Sequence, residues 1–376
     1  MLIVRGAVKD YDWGIVDGLE PWSGQATGAP QAELWFGVHP GGPSPLVDDG
    51  GRPTGELLAD HFDIEAIPLL VKLLAAARPL SVQVHPSARA AAEGWRRQSQ
   101  GEYEGVYSDP FEKTEMLVAL QEFEAFAGWR SPDEAAAMLD ALGVDGTVVE
   151  LVRQGDTLAA IPGLLDAASP ARVAQLAAAA RAAGLPDEQV TAYATVTDHY
   201  PDDPGALITP LLAYLRLAAG EAVYVPAGVP HSYIRGIGLE VMTSSDNVLR
   251  LGLTGKPVFV DHALRALSTT LEPQVMHTDH GDLIWPRNAP FVVRVLTTGG
   301  ERIPAEAYRI VLLVEGTATV TSEFGEITLR PGTAAVISAS DPDSFVEADG
   351  LVAIIQSTTK QVEFAHERWD VARHEY

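Results

Sequence analysis

Hydrophobic and polar positions along the chain fall into three textures. Up to about residue 130, short apolar runs alternate with turn punctuation such as Pro40-Gly41-Gly42-Pro43-Ser44, the pattern of short strands joined by turns. Over 131–206 alanine dominates and β-branched runs thin out. Ser131-Pro132-Asp133-Glu134 predicts a helix start: Ser at the cap, Pro at the first helical position, Glu three residues after the Ser. Ser169-Pro170 repeats the signal, and the helix expected over 173–183 stops at Gly184, with Pro186 beyond. From Leu207 strands resume, with strand-like runs at 221–226 and 238–242.

The last hundred residues return to the first style. The run 310–314 leads into Glu315-Gly316 and a second run at 317–321, and Pro331-Gly332 precedes a third at 334–337. Strand, turn, strand, turn, strand is the rhythm of a jelly roll, and 219–226 has a matching phrase. The expected fold is therefore mainly β, with two related jelly-roll barrels and a helical domain inserted in the first. Residues 1–130 plus 207–275 would form one barrel, 131–206 the helical insert, and 276–376 the second barrel.

Composition narrows the chemistry. The 376 residues include no cysteine, which excludes disulfides, thiolate metal sites, iron–sulfur clusters and cysteine nucleophiles. Any metal must be held by nitrogen and oxygen. The lack of disulfides fits the cytoplasm. The opening run Met1-Leu2-Ile3-Val4 is too short for a signal h-region, and no stretch approaches the ~20 apolar residues of a membrane span, so a soluble chain is expected. A net charge of −25 repels polyanions and speaks against nucleic acid; an anionic small substrate needs a local gathering of Lys and Arg.

Four stretches carry candidate chemistry. In Pro79-Leu80-Ser81-Val82-Gln83-Val84-His85-Pro86, strand alternation puts Ser81, Gln83 and His85 on one face, and a same-face Gln and His make two adjacent metal arms or a solvated polar face. Pro226-Ala227-Gly228-Val229-Pro230-His231 brings a histidine out of a turn at a strand start, either into a barrel mouth or into the core. Glu112-Lys113-Thr114-Glu115 enters an apolar strand, where an unpaired carboxylate is costly to bury and ligation would offset the cost. Arg250 and Lys256 follow a polar segment at 243–247, as surface charges or as an anion site.

Taken together, in this order and spacing, these stretches resemble the type I mannose-6-phosphate isomerase family of zinc-dependent cupins. The likeness covers essentially the whole chain. Tyr11-Asp12-Trp13-Gly14, the segments 32–40 and 70–74, then 79–86, look like the family's earlier signatures, and 226–256 is similar to its most specific block. The resemblance implies two cupin barrels, one zinc ion per chain, a hexose phosphate substrate and a cytoplasmic monomer. It puts the metal ligands on Gln83, His85, Glu115 and His231. Catalytic residues fall on Arg250, Lys113, Glu240, Asp246 and Tyr233, and substrate-binding residues on Ser81, Lys72 and Lys256. One position departs: the family usually reads His-Lys-Pro-Glu, and Glu112 stands where it has His.

The implied reaction interconverts mannose 6-phosphate and fructose 6-phosphate through an enediol. Two histidines, one glutamine and one glutamate leave a divalent ion a net charge near +1, suited to a developing enediolate. Two other functions compete. A sugar-phosphate-binding cupin with a structural metal would show no turnover, and an iron oxygenase of the same fold would consume O₂. The pair His277 and His280, and the tail residues His366 and His374, are expected to be surface histidines. The segment 302–356 contains no histidine, so the second barrel is expected to lack a metal.

Overall fold

A computed structural model describes residues 1–64, 66–277, 283–305 and 307–358. Thr278–His280, His366 and His374 lie outside the described residues. The structure is mainly β, built from two large antiparallel sheets. No helix among the described residues is long and apolar enough to cross a membrane.

The first sheet runs in the order Gln274–Met276, Ala222–Val225, Glu115–Ala119, His231–Thr243, Leu69–Ala76, Glu33–Phe36, Ala7–Lys9. Its inner strands are buried on both faces, which explains the near-continuous apolar reading of Leu-Leu-Val-Lys-Leu-Leu-Ala-Ala over Leu69–Ala76. Leu69, Val71, Leu73 and Ala75 face one core with Met116 and Val118, while Leu74 and Ala76 share another with Leu117 and Ala119. The first of these cores also takes Phe291, Ile310, Leu312, Val336 and Ile355 from the C-terminal sheet, so the two sheets pack face to face. Lys72 is on the opposite face, directed into the first sheet's own interior.

The strand His231–Thr243 joins two layers. Its start pairs with Phe123–Trp129 and with Val82–Val84, and its remainder pairs with Leu69–Ala76 and Glu115–Ala119. The change falls at Gly236, with φ +134 and no room for a side chain: a Cβ there would lie 2.6 Å from Phe123 Cδ2 and 2.8 Å from the Glu122 carbonyl oxygen. Gly236→Ala is expected to destabilise the protein by about 1–3 kcal/mol, read as a lower denaturant midpoint with unchanged slope; an unaltered midpoint would contradict this account of the bend.

Helices occupy Pro132–Ala141 through Asp187–His199, followed by a 3₁₀ segment at Pro204–Leu211. Ser131 and Ser169 stand at helix caps as expected; Ser169 accepts from the Arg172 N–H, whereas Ser131 donates instead to Glu134 Oε2 at 2.9 Å. The helix expected over 173–183 is divided into Pro170–Val173 and Leu176–Ala182. The helices pack on Val82, Val84, Ile234, Leu249 and Leu251, behind the strands that carry Gln83, His231 and Arg250.

The C-terminal sheet departs from a division by sequence segment. It runs Leu283–Ile284, Phe291–Ile303, Ser344–Ser357, Arg309–Leu313, Thr333–Ile337, Leu2–Arg5, Pro45–Val47, Pro53–Leu57. Leu2–Arg5 pairs with Thr333–Ile337, so two parts of the 1–130 segment belong spatially to the second sheet. The apolar run at the N-terminus supplies an inner strand, and Val4 is fully buried between the sheets. Local pattern predicts that such a run is a strand, but not which sheet completes itself with it.

Candidate metal centre and sugar-phosphate pocket

Strand register assembles the centre. Gln83 lies opposite His231 on one side and Arg250 on the other. Glu240 lies opposite both Leu117 and Lys72, and Lys72 opposite Trp35. Directly opposed residues share a face, so residues far apart in sequence converge in one interior.

At its floor His85, Glu115 and His231 are fully buried. One ligand atom from each lies within 4.8 Å of the others. Glu115 Oε1 is 2.8 Å from His231 Nε2, and Oε2 is 3.2 Å from His85 Nε2. Both imidazoles are oriented from behind: His85 Nδ1 donates to the Asn247 carbonyl at 2.8 Å and His231 Nδ1 to the Val229 carbonyl at 3.1 Å. That fixes the tautomers so that both Nε2 lone pairs face Glu115, the arrangement of metal-ligating histidines. Burial, and after it the Lys113 ammonium, pushes His85 down to about 3, so the ring is neutral and able to ligate. His85 Nε2 is buried without a hydrogen bond, although such atoms normally have a partner, and Glu115 Oε2 beside it meets only the Lys113 ammonium. This donor set fits a divalent cation of the zinc type.

Gln83 is adjacent. Its Nε2 is 3.0 Å from His231 Nε2, and its Oε1 accepts from Ser81 Oγ at 3.1 Å. Amide oxygen and nitrogen have the same shape, and a half-turn would bring Oε1 to the centre. Tyr233 donates to Glu115 Oε1 at 3.2 Å, and Lys113 Nζ lies 2.9 Å from Oε2. Burial alone would raise the Glu115 carboxyl; the charge of Lys113 is the largest of the influences that hold it well below the ordinary range instead.

Lys72, buried among apolar neighbours, is 3.0 Å from Glu240 Oε2 and 3.4 Å from Glu33 Oε1. Burial favours its neutral form, but Glu240 and Glu33 prevail and raise its pKa. Lys72 is therefore a fixed cation and not a base. Burial first, then the neighbouring Glu115, raises Glu240.

Asp246 connects this floor to the mouth. Its Oδ2 is 3.1 Å from His39 Nε2, the hydrogen bond that lowers its pKa most. Its charge also acts on Lys72, Lys113, Arg250 and Lys256. Burial lowers Arg250; Lys256, exposed at the mouth, is lowered by partial loss of water around its ammonium and then by the charge of Arg250. Neither cation pairs with a carboxylate among the described residues. Lys256 is exposed and lies 5.9 Å over the Tyr11 ring.

Several residues here were not singled out by sequence pattern. Glu33 accepts from Trp35 Nε1 at 2.8 Å as well as from Lys72, and His39 holds Asp246. Glu33 at the head of the apolar run Leu34-Trp35-Phe36 was the available signal, because a carboxylate carried into the core by such a strand needs partners. Glu112 faces elsewhere. With Thr114 and Tyr224 it lines a groove of about 1410 Å³ to which none of the ligand residues contributes, whereas Lys113 and Glu115 point into the centre. The exposed His277 pairs with Glu221.

The family model for the catalytic domain of type I phosphomannose isomerase matches residues 1–132. Mannose-6-phosphate isomerase of Schizosaccharomyces pombe is 33% identical over 290 residues, covering 66% of this chain and 69% of that protein. That of Escherichia coli K12 is 29% identical over 383 residues, covering 92% and 97%. A crystal structure of mannose 6-phosphate isomerase bound with zinc and yttrium superposes with a TM-score of 0.79 at 26% identity, over 95% of this chain and 99% of that one. With sequence likeness and architecture matching over nearly the full length, this chain belongs to the mannose-6-phosphate isomerase family.

Proposed function

We propose that this isomerase interconverts mannose 6-phosphate and fructose 6-phosphate by proton transfer between C1 and C2 through an enediol, in the interior that holds the His85–Glu115–His231 cluster. The observation that carries this reading is the conjunction of a buried donor set built for one cation with a half-buried arginine, Arg250, one strand away. Residues 1–130 and 207–275 are read as a cupin barrel around the centre, 131–206 as its helical insert, and 276–376 as a second cupin barrel completed by Leu2–Arg5. A monomer in the cytoplasm is the accompanying expectation.

His85, His231, Glu115 and Gln83 would hold one zinc ion per chain, which would supply a Lewis acid with net positive charge for substrate oxygens. The remaining work belongs to the chain's own residues. Among the described residues Arg250 and Lys256 have no carboxylate partner, and they suit a phosphate dianion or the enediolate. Ser81 supports Gln83 and offers a hydroxyl to the substrate. Lys72 is already committed to two carboxylates, so it positions Glu240 more than it binds phosphate. Glu240, whose carboxyl is raised by burial, and Lys113, buried beside Glu115, are the candidates to carry the proton; a carboxyl raised by burial holds a proton more readily than a free one. Asp246 orients the cations through His39, and Tyr233 anchors Glu115. Glu112 faces the neighbouring groove and has no step in this reading.

A coupled assay for fructose 6-phosphate formation on zinc-loaded protein tests the reading. Arg250→Ala is expected to lower kcat by about 10²–10³, the cost of removing one donor to a developing oxyanion. Absence of turnover in zinc-replete wild type would leave a sugar-phosphate-binding protein with a structural metal.

A further inference from the structure

The carboxylate of Asp109 takes no part in the reaction as read above, yet it is among the most heavily hydrogen-bonded in the protein. Oδ2 accepts from the Asp246 N–H at 2.8 Å and from Ser245 Oγ at 3.1 Å. Oδ1 accepts from the Phe111 N–H at 2.9 Å, from Asn247 Nδ2 at 3.0 Å and from Ser245 Oγ at 2.9 Å. No cation pairs with it among the described residues. Its charge is met by N–H and O–H dipoles alone, which makes the arrangement directional.

Those bonds join two loops. One, 108–111, leads into Lys113 and Glu115. The other, 245–247, leads into Arg250 and carries the Asn247 carbonyl that receives His85 Nδ1–H. Asn247 reinforces the seam from its own side. Its Nδ2 donates to the carbonyls of Asp109 and Phe111 at 2.8 and 2.7 Å, and its Oδ1 accepts from the Ser108 N–H at 2.9 Å. Ser108 Oγ donates to the Asp246 carbonyl at 3.2 Å.

We propose that Asp109 is a positioning residue of the metal centre: by locking 245–247 against 108–111 it fixes the Asn247 carbonyl that orients His85, and the backbone of Asp246 whose carboxylate pairs with His39. The inference rests on the metal-centre reading and deepens it. A histidine ligand is only as well aimed as the acceptor behind its other nitrogen, and here that acceptor is a backbone carbonyl in a turn, outside any strand. Without Asp109 the turn loses the acceptor for three donors at once, and an asparagine in its place would present an N–H₂ to groups that are themselves donors.

The test is zinc affinity, measured by competition with a chromophoric chelator at a temperature where circular dichroism finds each variant folded. Asp109→Asn and Asn247→Ala are both expected to weaken zinc about 10–100-fold; the latter removes the side-chain seam and keeps the carbonyl. Cobalt(II)-loaded Asp109→Asn should show a displaced visible absorption band, because the ligand field follows the His85 ring. Asp203→Asn is the control. That carboxylate caps the Gly205 and Thr254 N–H groups and touches neither loop, so its loss should leave zinc affinity unchanged. Wild-type affinity in both Asp109→Asn and Asn247→Ala overturns the inference, and if Asp109→Asn does not fold, Asn247→Ala decides. Failure of the wild type itself to retain zinc would overturn the metal centre and this role with it, whereas tight wild-type binding with unaffected variants removes only the role of Asp109.

Discussion

Glu115→Gln should lower turnover by about a thousandfold or more and leave the protein unable to retain zinc through gel filtration. The carboxylate is fully buried, with one oxygen 2.8 Å from His231 Nε2 and the other 3.2 Å from His85 Nε2. Glutamine keeps the shape and removes the negative charge from the donor set. A thousandfold loss corresponds to about 4 kcal/mol, within the several kcal/mol that a Lewis acid contributes to stabilising developing charge. The substitution also strips Lys113 of its partner at 2.9 Å, so Lys113→Met is the necessary companion: it should keep its zinc while losing activity. Elemental analysis and the coupled assay read both. Zinc retained in Glu115→Gln together with more than a tenth of wild-type turnover would refute the assignment of Glu115 as a ligand.

Lys72→Met carries the second large effect, on stability. Removing the ammonium leaves the buried Glu240 and Glu33 without the cation that pairs with both. Breaking one side of a buried pair costs about 3–5 kcal/mol, and urea unfolding of the zinc-free protein should show a loss of that size. The double variant Lys72→Met with Glu240→Leu should recover part of it, because an apolar pair of similar volume replaces the stranded charge. The pH dependence has a definite sign. Lys72 is raised in the folded state, so its contribution is fully present below the ordinary lysine value of about 10.4 and is lost only as pH rises above that through the raised value. The gap between wild type and Lys72→Met should therefore stay constant from neutral pH to about 10 and close in stronger alkali. Equal stability of the two proteins at pH 7 would refute the buried network.

Much of the local structure was legible because it depends on neighbours in sequence. Alternation over 81–85 puts Gln83 and His85 on one face, and Val82 and Val84 are indeed sealed in the core on the other. The turn-separated runs of the last hundred residues correspond to the strands Arg309–Leu313, Thr317–Ser322 and Thr333–Ile337. The alanine-rich stretch is helical, and its serines stand at helix caps. The pairing of Glu115 and His231 with Gln83 and His85 came from family resemblance, since nothing in their spacing requires it.

What sequence by itself determined, then, is the type and rough extent of the elements and which side chains share a face, since these follow from the two-residue period of a strand and the chemistry of caps and turns. Tertiary structure alone decided which faces meet. Register across four strands brings Lys72 to Glu240 and Gln83 between His231 and Arg250, and the bend at Gly236 turns one strand from one layer to the next. The same level of organisation gives Leu2–Arg5 to the C-terminal sheet, turns Glu112 away from the metal ligands, and supplies Glu33, His39 and Asp109 as partners. A buried polar group must find its complement in space, and that complement is set by long-range pairing, which local periodicity does not encode.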